Sequence, residues 1–221
     1  MRRIVRPELL DTGQATPAEI QASLHDLQFV NRWFGGVSTT RQILERVAQR
    51  TNTKELRILD VGSATGDGPL QLRQSCPNLR LDVTLLDREP SRFNGIAHPP
   101  SCVTADALAL PFRDNSFDVV CCSLFAHHLE PEQIAAFARE SLRVARIAFT
   151  INDLRRSFVH LALVYGGMPL YRSRVTRHDA PVSIWRAYTP DEVRKVLATA
   201  TSKPVDVFNT YLCRMGAIAW K

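Results

Sequence analysis

Two adjacent histidines, His127 and His128, close the apolar run "FDVVCCSLFAHH" and are well suited to hold or move a proton near neutral pH. A phenol with a pKa of about 10, or an activated carbon acid, would gain from such a base within hydrogen-bond reach. Asp153 closes a second apolar run, "RIAFTIND", and offers either a carboxylate for the same chemistry or an N-cap for a helix starting near Arg155. His178 and Asp179, in "SRVTRHDAPVS", read as a loop of the kind that covers substrates. A different chemistry belongs to "ILDVGSATGDGPLQL", where a strand-like run passes through Asp60, Gly62, Ala64 and Gly66 into a helix-like one. Such a turn lets backbone N–H groups and a helix N-terminus approach a nucleotide closely. Asp87 lies at the end of the next apolar run, about 20 residues on, where a carboxylate would accept from ribose hydroxyls.

These side chains need a scaffold that brings them to one edge. Short apolar runs occur at 56–62, 80–87, 101–106, 117–123 and 146–153. Helical or loop segments alternate with them, clearest in "EPEQIAAFARESLRVA", as in a parallel doubly wound sheet with helices on both faces. Ligands of such sheets sit at the carboxyl ends of the strands. Thr189, Pro190 and Glu192 open a further helix, and "PVDVFNTY" and "CRMGAIAW" follow as a terminal antiparallel pair. Ahead of the sheet, Thr16, Pro17 and Glu19 form a capping-box start, Gly35 and Gly36 stop that helix, and a second begins around Ser38 or Thr39.

The spacing D-x-G-x-A-x-G is not the G-x-G-x-x-G of dinucleotide sites. It resembles the first motif of class I S-adenosylmethionine-dependent methyltransferases, with Ala64 where the usual form has glycine. The added methyl group is tolerated at negative φ and not in a left-handed turn. "TADALALPFRDNSFDVVCCSLFAHHL" closely resembles the segment of that family in which an aspartate after strand three meets the adenine amine, and Asp106 is that aspartate here. The subgroup resembled is the small-molecule type of ubiquinone and menaquinone methyltransferases (methyltransferase type 11). More weakly, "LQFVNRWFGG" and "INDLRRS" resemble methyltransferases encoded beside type III polyketide synthases, which act on phenolic products.

The resemblance implies a Rossmann-like, seven-stranded α/β sheet, parallel except for its C-terminal antiparallel pair, beneath an N-terminal helical lid. It divides the chain into a cap (1–54) and a core (55–221) with a lid-like insertion at about 155–185. It implies S-adenosylmethionine as cofactor, bordered by Asp60, Gly62, Ser63, Ala64, Gly66, Asp87, Arg88, Asp106, Ala107 and Ser123. Arg32, beside Trp33, is a candidate partner for the methionine carboxylate; a core tryptophan before a glycine stop is the plainer expectation. The expected reaction is O- or C-methylation of a small aromatic or phenolic acceptor, with His127, His128, Asp153 or His178 as the base. No metal is expected, because Asn152 and Asp153 are adjacent in a strand and face opposite sides.

Composition narrows the remaining classes. At 221 residues with 45% hydrophobic and 23% charged residues, one well-buried core is expected. Five cysteines, odd in number and without CxxC spacing, point to a reducing cytoplasm without disulfides or zinc. No segment approaches the roughly 20 apolar residues of a membrane span. "FVHLALVYGGMPLY", flanked by Arg155, Arg156, Arg172 and Arg174, offers an interfacial helix or a greasy substrate wall, though a helix packed on its own core is the simpler reading. A net charge of +6, with arginines at Arg2, Arg3 and Arg6 and from Arg155 to Arg177, permits nucleic-acid binding. Strand four, however, ends without the D-P-P-Y or N-P-P-Y tetrad that would stack a flipped base. No specific nucleic acid is therefore expected. Two other readings are a nicotinamide-dependent oxidoreductase, opposed by the turn's register, and a non-catalytic protein that keeps the fold to bind cofactor or a partner.

Overall fold

The computed structural model describes residues 1–62, 73–93 and 101–221. Their seven strands are β1 (Glu55–Val61), β2 (Arg80–Asp87), β3 (Ser101–Thr104), β4 (Phe117–Ser123), β5 (Ala145–Leu154), β6 (Val205–Thr210) and β7 (Arg214–Trp220), in the order β3-β2-β1-β4-β5-β7-β6. Every pairing from β3 to β5 is parallel, and β7 runs antiparallel between β5 and β6. This is the expected class I methyltransferase sheet. Chain order reverses between β1 and β4, which opens a crevice beyond their carboxyl ends.

Alternation along the strands divides the core into two layers. In β1, Leu56 and Ile58 face one layer with Ile43, Leu44 and Val47 of α2 (Gly36–Thr51). Leu59 and Val61 face the other, with Phe137 and Leu142 of α3 (Pro131–Val144) and Val193 and Leu197 of α6 (Pro190–Thr201). β4 is buried from Phe117 to Cys122, the continuous apolar run of a parallel strand covered on both faces.

The capping box of Thr16 and Glu19 opens α1 (Pro17–Trp33) as its sequence requires, and that of Thr189 and Glu192 opens α6. The second helix starts at Gly36, earlier than Ser38. Gly35 at φ +85° turns the chain so sharply that α2 begins at once, and a side chain at Gly35 would lie 2.6 Å from the carbonyl oxygen of Tyr211. Neither is there a helix start at Arg155. Ser157 caps α4 (Phe158–Gly167), which leaves Asp153 in the strand for other work.

Two expectations fail between Phe158 and Arg186. His178 and Asp179 lie inside α5 (Arg174–Arg186), not in a loop. Pro181 and the weak apolar periodicity hide this helix in the sequence, yet Val175, Ile184 and the polar Thr176 and Ser183 are buried. The apolar stretch from Phe158 does not pack wholly on its own core: Phe158 and Val159 are about two-thirds exposed, and Val164 alone of α4 is buried. No helix among the described residues is long and apolar enough to cross a membrane.

Two arginines of the basic clusters, Arg3 and Arg156, are taken up by folding contacts, while Arg2, Arg6, Arg172, Arg174 and Arg177 stay exposed. Arg3 donates to the carbonyls of Arg186 and Leu129 and to Glu130, with its guanidinium over Tyr188. Arg156 donates to the carbonyls of Met1 and Ala187 and to Glu192. Asp179 accepts from the backbone of Leu9 and Leu10, so residues 1–13 run as a strap along α5. Buried Asp26 of α1 accepts from the backbone N–H groups of Arg172 and Ser173 and locks α1 to the start of α5. Asp26→Ala leaves those donors without their acceptor and should lower the unfolding free energy by about 2 kcal/mol in urea titration. A change below about 0.5 kcal/mol would show that the lock adds nothing.

Candidate active site

The strand ends open into one cavity of about 980 Å³. On the β1 side it is lined by Asp60, Gly62, Asp87, Arg88, Asp106 and Ala107, and on the β4 side by Ser123, His127 and His128. The expected cofactor residues within the described chain therefore converge, with one exception. Arg32 is exposed at the end of α1, its guanidinium 5.7 Å from the Trp33 ring centroid, and lies outside the cavity lining. Trp33 is itself about 62% exposed, so it is no core tryptophan either. Ser63, Ala64 and Gly66 lie outside the described residues.

At the first turn, Gly62 has φ +69° and its N–H donates to the carbonyl of Leu86. A side chain here would approach the Phe125 ring to 2.7 Å, so this left-handed turn packed against Phe125 requires glycine. Asp87 Oδ1 accepts from the Glu89 N–H and Asp106 Oδ1 from the Leu108 N–H. These Asx turns hold the two carboxylates at the ends of β2 and β3. Asp60 is buried and accepts from the Cys121 thiol at 3.4 Å. Burial raises its pKa to about 7, against the Cys121 hydrogen bond and with the Asp87 charge adding to the rise.

The histidines belong to two carboxylate pairs. Asp153, buried at the end of β5, accepts from His127 twice, from Nδ1 at 2.7 Å and from the backbone N–H at 2.9 Å, and also from the Leu154 N–H at 2.7 Å. Burial alone would raise the Asp153 pKa, but His127 and the two backbone donors outweigh it, and the carboxylate is held below its usual range. An Nδ1–H committed to Asp153 leaves Nε2 of His127 as the lone-pair nitrogen. His128 stacks on His127 with ring centroids 4.2 Å apart, and its Nδ1 lies 3.0 Å from Asp11.

Both Nε2 atoms approach a residue that sequence reasoning missed. Glu8, on the strap, lies 3.7 Å from His127 and 3.9 Å from His128. Burial raises its pKa, with His128 and the Ser183 hydroxyl opposing. Nothing in "MRRIVRPELLD" marks this carboxylate, because only the packing of the strap on α5 delivers it. Glu8, His127 and His128 place three donor atoms within 4.8 Å of one another, a grouping that a metal argument confined to Asn152 and Asp153 overlooks. Arg186, 3.8 Å from Glu8, already meets this carboxylate with positive charge. His160 of α4 and Arg214 of β7 also line the cavity unforeseen. Arg214 did leave a signal, as a charged residue opening an otherwise apolar strand.

His178 is not part of this group. Its Nδ1 pairs with Asp179 at 2.7 Å, outside the cavity lining, and Asp179 is the anchor of the strap. The physical reason is the helical backbone, which fixes the pair on α5 beside the strap and away from the cavity.

The fold is that of class I methyltransferases. Residues 59–147 match the family described as a methyltransferase domain. Over 122 residues the chain is 33% identical to a demethylmenaquinone methyltransferase of Roseiflexus castenholzii, covering 54% of this chain and 50% of that one. A homologue from a second Roseiflexus strain is 31% identical over 126 residues with the same coverage, so the chain spans about half the length of these relatives. Among solved structures, the plantazolicin methyltransferase BpumL in complex with SAH has a TM-score of 0.73 at 13% identity, covering 97% of this chain and 94% of that one. A SAM-dependent methyltransferase from Aquifex aeolicus has a TM-score of 0.56 at 20% identity, covering 80% and 88%. The middle of the chain, residues 59–147, is thus similar to methyltransferase domains, demethylmenaquinone methyltransferases among them.

The raised pKa of Asp60 carries a stability signature. Between about pH 4 and pH 7 the folded chain keeps a proton on Asp60 that the unfolded chain has released, so this group makes stability fall as pH rises across that window. Asp60→Asn removes the contribution. Urea midpoints should show the parent losing stability relative to Asp60→Asn from pH 4.5 to pH 8, and a difference constant with pH would contradict the assignment.

Proposed function

We propose that the chain transfers a methyl group from S-adenosylmethionine to a small, aromatic or phenolic acceptor of quinone- or polyketide-like type, with His127 as general base. The observation that carries this reading is the continuity of one cavity from Asp87 and Asp106 to the His127–Asp153 pair. Its volume lies at the upper end of the roughly 300–1,000 Å³ of small-molecule sites, room for a nucleotide-sized cofactor and a modest acceptor.

The residues fit the cofactor on three counts. Gly62, at φ +69° and packed against the Phe125 ring, keeps the first turn in a conformation open to backbone contacts, Asp87 would accept from the ribose hydroxyls, and Asp106 would accept from the adenine amine. When bound, the sulfonium would supply an electrophilic methyl carbon, from which the attacking acceptor would displace the thioether of S-adenosylhomocysteine in line. The chain must then align the nucleophile and keep water out. α1, α4, α5 and the strap act together as the lid that does so. A phenolic hydroxyl is mostly protonated at neutral pH, and Nε2 of His127 takes its proton while Asp153 fixes the ring and balances the imidazolium charge. Glu8 lies 3.7 Å from this Nε2, on the strap side of the ring.

Single-turnover methyl transfer to a panel of phenols, quinols and resorcinols tests both halves of the reading. Asp87→Ala should weaken cofactor binding by about 30-fold, the loss of roughly 2 kcal/mol of hydrogen bonding. His127→Ala should keep cofactor affinity and lower the transfer rate by about 10². Failure of the parent chain to bind S-adenosylmethionine would end the methyltransferase reading. Transfer by His127→Ala at the parent rate would leave alignment as the sole catalytic device.

A further inference from the structure

The cavity has a second polar end, across the sheet from the carboxylates of β1, β2 and β3. Arg214 opens β7 and is about 1% exposed, the largest fully buried side chain among the described residues. Its Nη2 donates to Asn31 Oδ1 at 3.0 Å, whereas Nη1 has no hydrogen-bond partner among the described residues. Asn152 of β5 is similarly half-satisfied. Its Nδ2 donates to the Gly36 carbonyl and to Thr40 Oγ1, both at 2.8 Å, and its Oδ1 has no partner. Leu154 pairs with Arg214 and Asn152 with Gly216, so Asn152 and Arg214 are diagonal neighbours on one face of the sheet. Both line the cavity.

A buried guanidinium with an unused donor is costly unless something accepts from it. Burial lowers the Arg214 pKa to about 10, with Asp153 opposing, so the group stays cationic at neutral pH. His160, on the same cavity, is neutral. Burial carries its pKa down to about 4 against a hydrogen bond to the Arg155 carbonyl, and the charges of Arg214 and Arg155 push the same way. This end therefore favours a negative oxygen, as the opposite end favours donors.

Building on the methyltransferase reading, we propose that Arg214 and Asn152 form a subsite for an acidic oxygen of the acceptor, a carboxylate or an ionised phenol or enol. Nη1 of Arg214 donates to that oxygen, and Asn152 Oδ1 accepts from a hydroxyl beside it. An ortho-hydroxy acid or a 1,3-related hydroxy-carbonyl ring presents such a pair. The other source of a carboxylate is the methionine end of the cofactor. Strand order favours the acceptor, because β7 is three strands from β1, about 14 Å at the usual spacing, and lies beyond the end of β5 that holds Asp153.

The test uses the whole chain loaded with S-adenosylhomocysteine and two probes of like shape, 2-hydroxybenzoate and 2-hydroxybenzyl alcohol, measured by calorimetry. The parent should bind the acid at least about 10-fold more tightly, since a hydrogen bond to a charged group contributes more than one to a neutral group. Arg214→Met, with folding checked by thermal unfolding, should bring the ratio near one while S-adenosylhomocysteine affinity changes less than about twofold. Equal affinities for the two probes in the parent, or no binding of either, overturn the subsite without needing the variant and leave the cofactor reading standing. A variant that keeps the discrimination and loses S-adenosylhomocysteine affinity also overturns it and assigns Arg214 to the cofactor carboxylate. If S-adenosylhomocysteine itself fails to bind the parent, the methyltransferase reading falls first, and the subsite with it.

Discussion

The carboxylate of Asp153 is buried at the end of β5 and depends on three donors, all within two short stretches of chain: the ring and backbone of His127 and the backbone of Leu154. A charge taken out of water is tolerated only when its lone pairs are met. That requirement ties the segment after β4 to the end of β5 and fixes the tautomer and direction of the His127 ring. It also explains why the strap matters. Glu8 and Asp11 reach the two imidazoles only because Asp179 holds Leu9 and Leu10 and because Arg3 and Arg186 close the strap against the β4–α3 connection.

From this anchor the cavity acquires a direction. Asp60, Asp87 and Asp106 stand at one end, the histidines at the middle, and Asn152 of β5 with Arg214 of β7 at the far end. A ligand with donors at one terminus and an acidic oxygen at the other is matched in charge along its whole length. Apolar surface lies between the poles, with Leu24 and Leu27 of α1 and Val164 of α4 lining the same space. The opposite face of α4, with Phe158, Val159 and Leu163, remains exposed.

The sheet could be read from the chain because parallel strands are short apolar runs with turn residues at their carboxyl ends, a pattern that survives without any knowledge of packing. Asp87 could be placed at a strand end for the same reason, since a strand end is a position in sequence as well as in space, whereas Asp106 was reached through the resemblance to the methyltransferase segment; both line the cavity. α5 was not, because Pro181 and a polar surface mask a helix whose burial comes from α1 and the strap. His178 was misplaced with it. Glu8 was invisible, as a carboxylate in a segment without periodicity has no address until tertiary contacts supply one. Arg214 stood in plain view within an apolar strand, but a charge in a strand signals only that it has a partner, and the sequence does not say where.

The most direct test is a crystal structure of the chain with S-adenosylhomocysteine. The ribose hydroxyls should lie within hydrogen-bond distance of Asp87 and the adenine amine near Asp106, with the vacant side of the sulfur facing Nε2 of His127 across open cavity. A nucleoside seated elsewhere, or a sulfur turned away from His127 behind the lid, would contradict the account.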